Sequence, residues 1–163
     1  MVISTDKTII DIRSAERADA ESILNLQKLA YQSEAMLYND WSLPPLTQSL
    51  ESLLQEFSKA TVLKAMLGSR IVGSVRAESS GNVCTIGRLV VHPDLQRKGL
   101  GSRLLSTIEA QFPTVASYKL FTGSKSAGNI RLYQRHGYHV IGYQPLSAAL
   151  ALTHMEKPAS SLR

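Results

Sequence analysis

A chain of 163 residues with 44% hydrophobic and 19% charged content carries enough apolar material for a sizeable core, which excludes a disordered chain. No apolar run approaches the roughly 20 residues a bilayer-spanning helix needs, the first residues lack the basic-then-apolar order of a secretory leader, and Cys84 is the lone cysteine, so a cytoplasmic protein without a disulfide is expected. The net charge of +5 is scattered and aromatic residues make up 6%, which speaks against a nucleic-acid surface and for positive charge gathered around a small anion.

In chain order, Thr8–Arg13 reads as a first strand. Asp19 is placed to cap a helix that carries Ile23, Leu26 and Ala30 and continues to Glu34. Asn39–Pro45 breaks that pattern as a loop, and Thr47 starts a second amphipathic helix with Leu50, Leu53, Leu54 and Phe57 on one side, ending near Lys59. Thr61–Leu67 and Ile71–Ala77 flank the turn Gly68-Ser69-Arg70 and form a hairpin. Ser79–Asn82 turns into a central strand that contains Cys84 as a packing residue and ends on Leu89-Val90-Val91.

His92-Pro93-Asp94 stops that strand, because Pro93 offers no amide hydrogen to a ladder. Gln96-Arg97-Lys98-Gly99-Leu100-Gly101-Ser102 follows, and Leu100, Leu104, Leu105, Ile108 and Phe112 then recur at helical spacing. A strand, a basic glycine loop and a helix N-terminus therefore succeed one another. Unpaired amides and the helix dipole at such an end attract an anion. Gly99 and Gly101 lack the Cβ atoms that would hold a phosphate off the backbone, while Arg97 and Lys98 add charge. The spacing is not that of a Walker loop, and Leu104 stands where a dinucleotide fingerprint needs its third glycine.

Beyond Pro113, Tyr118–Thr122 resumes as a strand parallel to the central one. A short helix over Ala127–His136 stops at Gly137, and His139–Tyr143 and Ala149–Glu156 flank Pro145 as the last two strands. About six residues at each end are expected to be loose, the tail from Lys157 onward included. The whole of residues 1–163 reads as one α/β domain, a mixed, mostly antiparallel sheet with helices on both faces.

Gln96-x-x-Gly99-x-Gly101 after Leu89-Val90-Val91-His92-Pro93 resembles the acetyl-CoA signature of the GNAT-type N-acetyltransferase superfamily. Asn129-Ile130-Arg131-Leu132-Tyr133 and Gly137-Tyr138 resemble its next motif, and the likeness runs from Ile71 to Met155. The resemblance implies a sheet splayed between its fourth and fifth strands, acetyl-CoA as cosubstrate without a metal, and transfer of acetyl to a primary amine of a small molecule or peptide. It implies Leu89, Val90, Val91, Gln96, Arg97, Lys98, Gly99, Leu100, Gly101, Ser102, Asn129 and Tyr133 around the cofactor, with Tyr133 as the acid that protonates the departing thiolate. A homodimer is compatible with it; a nucleic-acid or membrane partner is not implied.

One departure stands out. Gly87 and Arg88 occupy the place where many family members carry a glutamate base, leaving Glu34 and Glu78 as the alternatives. A non-catalytic acyl-CoA-binding domain is therefore the second reading. Tyr31–Pro45 and the last hairpin are expected to shape the acceptor pocket.

Overall fold

The computed structural model describes residues 9–159. Among them, seven strands form one sheet in the order β1-β2-β3-β4-β5-β7-β6: β1 Asp11–Ser14, β2 Thr61–Leu67, β3 Arg70–Ser80, β4 Val83–Val91, β5 Ser117–Gly123, β6 His139–Pro145 and β7 Ala151–Pro158. Every neighbouring pair is antiparallel except β4 and β5, which the helix α5 (Leu100–Ala110) connects as a parallel crossover. The expected mixed sheet, mostly antiparallel, is the observed one.

Packing follows the apolar periodicities. Leu100, Leu104, Leu105 and Ile108 lie on one stripe of α5 and are buried against Leu63, Val72, Val75, Cys84, Ile86 and Leu120 of the sheet. On the other face, Ala20, Ile23 and Leu24 of α1 (Ala20–Ala30) meet Leu53 of a later helix and Val62 of β2. Helices on both faces thus bury both sides of the central strands. Burying one leucine of the α5 stripe stabilises the fold by about 1.5–3 kcal/mol.

Several local expectations are corrected by tertiary contacts. The helix expected as far as Glu34 is interrupted at Tyr31 and resumes as α2 (Gln32–Tyr38), ending at Asn39 in the left-handed conformation. Asp19 does not cap α1 with its side chain. Its carboxylate instead accepts the Glu16 amide at 2.8 Å and Lys64 Nζ at 2.8 Å, closing the 3-10 turn Arg17–Asp19 and pinning it to β2. Pro44–Thr47 forms a single turn, α3, that begins at the end of the expected loop and takes in Thr47, the expected start of the next helix. The next helix, α4 (Leu50–Phe57), starts after Ser49, whose hydroxyl accepts the Ser52 amide at 3.0 Å.

Ser79 and Ser80 belong to β3, leaving only Gly81 and Asn82 in the turn. The last strand begins at Ala151 rather than Ala149 and holds part of the expected loose tail. Lys157 pairs with Tyr118 in register and its Nζ donates to Glu109 at 2.8 Å, while Ala159 donates its amide to Ala116. Thr8, the first residues and residues 160–163 lie outside the described part.

Candidate active site

The site begins with a pairing that stops. β4 and β5 are in register only at Val83–Thr85 and Ser117–Lys119, so the β5-facing edge of β4 from Ile86 onward has no partner strand. The sheet opens there, as the sequence resemblance implies. Two adjoining cavities of about 310 Å³ each flank the opening, and Tyr31, Glu34, Leu89 and Asn129 line both.

A bulge in β4 sets which side chains reach them. Ser74 opposes Val90 and Arg76 opposes Gly87, so Arg88 and Leu89 together face the single Val75. Arg88 has φ +51. Alternation is thereby reset: Cys84 and Ile86 join the α5 core before the bulge, and Leu89 and Val91 pack against that same core after it. Arg88 is freed from that face and lines the second cavity.

The first cavity is built mainly from one stretch of chain. Leu89, Val90, Val91, Gln96, Arg97, Gly99, Gly101 and Ser102 line it, joined by Asn129, Leu132 and Arg135 of α6 (Ala127–Arg135). Arg97 and Gly99 take positive φ values of 65 and 86, which folds the loop back onto the start of α5. Gln96 Nε2 donates to the Val91 carbonyl at 3.2 Å and closes the loop against the strand end. No side chain caps α5, so its first amides stay open toward this cavity. The Cβ position at Gly101 lies 3.4 Å from Leu132 Cδ2, so a larger residue would fill the cradle.

Two residues assigned to the cofactor site sit differently. Leu100 is 3% exposed with its side chain in the core, leaving only its amide for a ligand, and Lys98 is exposed outside the cavity wall. Arg135 was missed. Gly128, Leu132 and Arg135 recur four and three residues apart on α6, a spacing that places all three on one face.

The second cavity is built from side chains of distant elements: Tyr31 and Glu34 at the α1–α2 break, Arg88 and Leu89 of β4, Phe121 and Thr122 of β5, Tyr133 of α6, and Leu146, Leu150 and Leu152 beside the last hairpin. Residues of the Tyr31–Pro45 stretch and of that hairpin line it. Tyr133 is 7% exposed, edge-on to Tyr138 at 6.0 Å, and its hydroxyl makes no hydrogen bond among the described residues. Burial, with Tyr31 and Glu34 adding to it, pushes the Tyr133 phenol above its ordinary value, so the group stays protonated. Burial also raises Tyr31, with Arg88 pulling the other way and Glu34 reinforcing the rise.

Glu34 is held in place by a short relay. Its Oε1 accepts Ser126 Oγ at 2.5 Å, Ser126 shares a 2.9 Å hydrogen bond with Tyr38 Oη, and Tyr38 Oη accepts the Lys125 amide at 2.8 Å. Gly123 makes this possible: its Cβ position would stand 2.0 Å from Tyr38 Oη. Asn129 Nδ2 donates to Thr122 Oγ1 at 3.2 Å, tying α6 to β5. Glu78 lies elsewhere, opposite Thr85 where β4 and β5 are still paired, and lines neither cavity. Of the two carboxylates left open by the sequence, only Glu34 is at the site.

Comparison with known proteins agrees with this architecture. A profile for the acetyltransferase (GNAT) domain matches residues 30–159. The UPF0157 protein YqkA of Bacillus subtilis is 24% identical over 127 residues, 78% of this chain; the match spans 36% of that protein's length. The crystal structure of the PaiA N-acetyltransferase of Thermoplasma acidophilum in complex with coenzyme A superposes with a TM-score of 0.77 at 19% identity, covering 93% of this chain and 99% of that one. YncA of Salmonella typhimurium, a putative acetyltransferase with its cofactor acetyl-CoA, gives 0.73 at 22% identity, with 93% and 95% covered.

Proposed function

The chain belongs to the GNAT acetyltransferase family, and from that premise we propose that it transfers acetyl from acetyl-CoA directly to a primary amine. The observation that carries the proposal is the opening between β4 and β5, where two cavities meet at Leu89 and Asn129. A cofactor arm on one side and an amine on the other would come together at the unpaired edge of β4.

The first cavity fits the cofactor. Open amides at the start of α5 suit a pyrophosphate, the glycines leave room for it, and Arg97 and Arg135 supply charge. When bound, acetyl-CoA supplies an acetyl group activated as a thioester; the new N–C bond forms as the C–S bond breaks. The unpaired β4 edge at Leu89–Val91 offers amide hydrogens where negative charge develops on the carbonyl oxygen. Glu34 receives the amine's proton, directly or through a water, and its relay to Ser126 keeps it aimed. Tyr133 protonates the departing thiolate, and its buried, protonated phenol suits that task. Leu89, Val90, Val91, Gln96, Gly99, Gly101, Ser102 and Asn129 complete the cofactor wall.

The absence of a glutamate from the bulge of β4, where Gly87 and Arg88 stand, favours a second reading in which the pocket binds acyl-CoA without turnover. Purified protein mixed with acetyl-CoA and a panel of amines decides between them. Release of free thiol that depends on an amine is the expected result. Tight acetyl-CoA binding with no thiol released by any amine would establish the non-catalytic reading.

A further inference from the structure

Where many family members carry a glutamate, β4 carries a cation at its bulge. Arg88 lines the second cavity, and its Nε is buried without a hydrogen-bond partner. Among the described residues no carboxylate lies within ion-pair distance of it. Glu56 is taken by Arg76, whose Nε donates to it at 2.7 Å, and Arg76 spends its remaining nitrogens on Gln27 and Gln48. Glu34 is turned to Ser126. Arg76 and Arg88 stand close enough to repel, and the Tyr31 phenol between these groups stays neutral because it is buried.

A buried guanidinium N–H without a partner is costly, and the cost is relieved when an acceptor enters; an anion also answers the unpaired charge. Arginine's planar fork matches a carboxylate with two parallel hydrogen bonds. Apolar residues make up much of the rest of the wall, Leu43, Ile86, Phe121, Leu146, Leu150 and Leu152, with Glu34, Thr122, Asn129 and the tyrosines as its polar part. The apolar part suits an uncharged hydrocarbon body, and with Glu34 committed to the reacting amine, the Arg88 charge disfavours a second ammonium group.

Resting on the acetyltransferase reading, we propose that the acceptor is a small amine carrying its own carboxylate and an apolar body, as in an apolar amino acid, with Arg88 as the specificity-determining residue. The bulge explains why one residue serves this purpose. Arg88 precedes Leu89, which borders the cofactor cavity, so the anion is bound beside the point of transfer. A polyamine offers Arg88 only more positive charge. A long peptide offers its amine without an adjacent carboxylate.

The test compares L-leucine and L-phenylalanine with their carboxamides, spermidine and an alanine-led peptide amide, all with acetyl-CoA and free-thiol detection. The free acids should exceed their carboxamides in kcat/KM by on the order of 10²- to 10³-fold, the size expected when one partner of a buried, hydrogen-bonded charge pair is removed. Arg88→Gln should raise KM for the acids by a similar factor and so erase their advantage over the carboxamides, and Arg88→Lys should restore only part. Equal rates on acids and carboxamides, or a preference for spermidine or the peptide amide, would overturn the assignment. If no amine releases thiol, the acetyltransferase reading fails, and calorimetry on the CoA complex then decides the carboxylate site separately. N-acetyl-L-leucine must bind more tightly than N-acetyl-L-leucinamide, and loss of that difference in Arg88→Gln must follow; equal affinities would remove the site.

Discussion

The two cavities on either side of the β4–β5 opening are equal in volume and opposite in construction. The proposed cofactor side takes most of its lining residues from one stretch, Leu89–Ser102. The proposed acceptor side draws single residues from α2, β4, β5, α6 and the last hairpin. A site made from one local stretch depends on that stretch keeping its backbone path and its glycines. A site made of convergent side chains changes its chemistry with one substitution, as Arg88 in the β4 bulge illustrates.

If that division is right, side-chain deletions on the acceptor side should lower turnover and spare cofactor affinity. Tyr133→Phe removes only a hydroxyl that makes no hydrogen bond among the described residues, so packing survives. Turnover should fall about 10²–10⁴-fold, the usual contribution of general acid catalysis, with acetyl-CoA affinity unchanged by calorimetry. Wild-type turnover in Tyr133→Phe, measured where chemistry limits the rate, would end the acid role.

Glu34→Gln keeps an acceptor for Ser126 and deletes the base, and should cost on the order of 10²-fold in kcat, while Glu78→Gln should change nothing. Equal losses in the two variants would mean that the base is elsewhere.

Gly101→Val should show the opposite pattern, weaker acetyl-CoA binding. The added methyls press on Leu132 and enter the cradle; overpacking of about 1–3 kcal/mol corresponds to roughly 5- to 150-fold in affinity. Unchanged affinity in the folded variant would show that the loop does not hold the cofactor.

A smaller effect is expected in alkali. The buried Tyr133 phenol is raised, so its proton is retained where an exposed phenol, near pH 10, has begun to ionise. The alkaline limb of kcat should therefore not appear at pH 10. The stability this group contributes is complete below the unfolded value of about 10 and is lost as pH rises through the higher folded value. Urea midpoints should accordingly fall above pH 10 in wild type and fall less in Tyr133→Phe.

Smallest of all is Lys98→Ala. Lys98 is exposed and outside the cavity wall, and an exposed charge contributes about 0–1 kcal/mol, so acetyl-CoA affinity should drop no more than about fivefold. A larger loss at low salt would bring Lys98 back into the site.

What the sequence determined by itself is what neighbours along the chain decide. Glycine spacing, the Pro93 stop and the α5 stripe are local, so the glycine loop and the crossover after β4 were legible from residues 86–112. The Asn129/Tyr133 face was legible for the same reason, because helical periodicity relates residues four apart. Only the tertiary structure decided the rest. Whether Arg88 faces the α5 core or the acceptor cavity depends on its register against Val75, thirteen positions upstream on another strand. Whether Glu34 or Glu78 reaches the site depends on Tyr38 packing over Gly123, a contact between chain segments 85 residues apart. Lys98 and Leu100 looked equivalent to their neighbours in the loop, yet the turn at Gly99 sends one to solvent and the other into the core. Local periodicity constrains which face a residue shares with its neighbours, while bulges and long-range packing choose what that face meets.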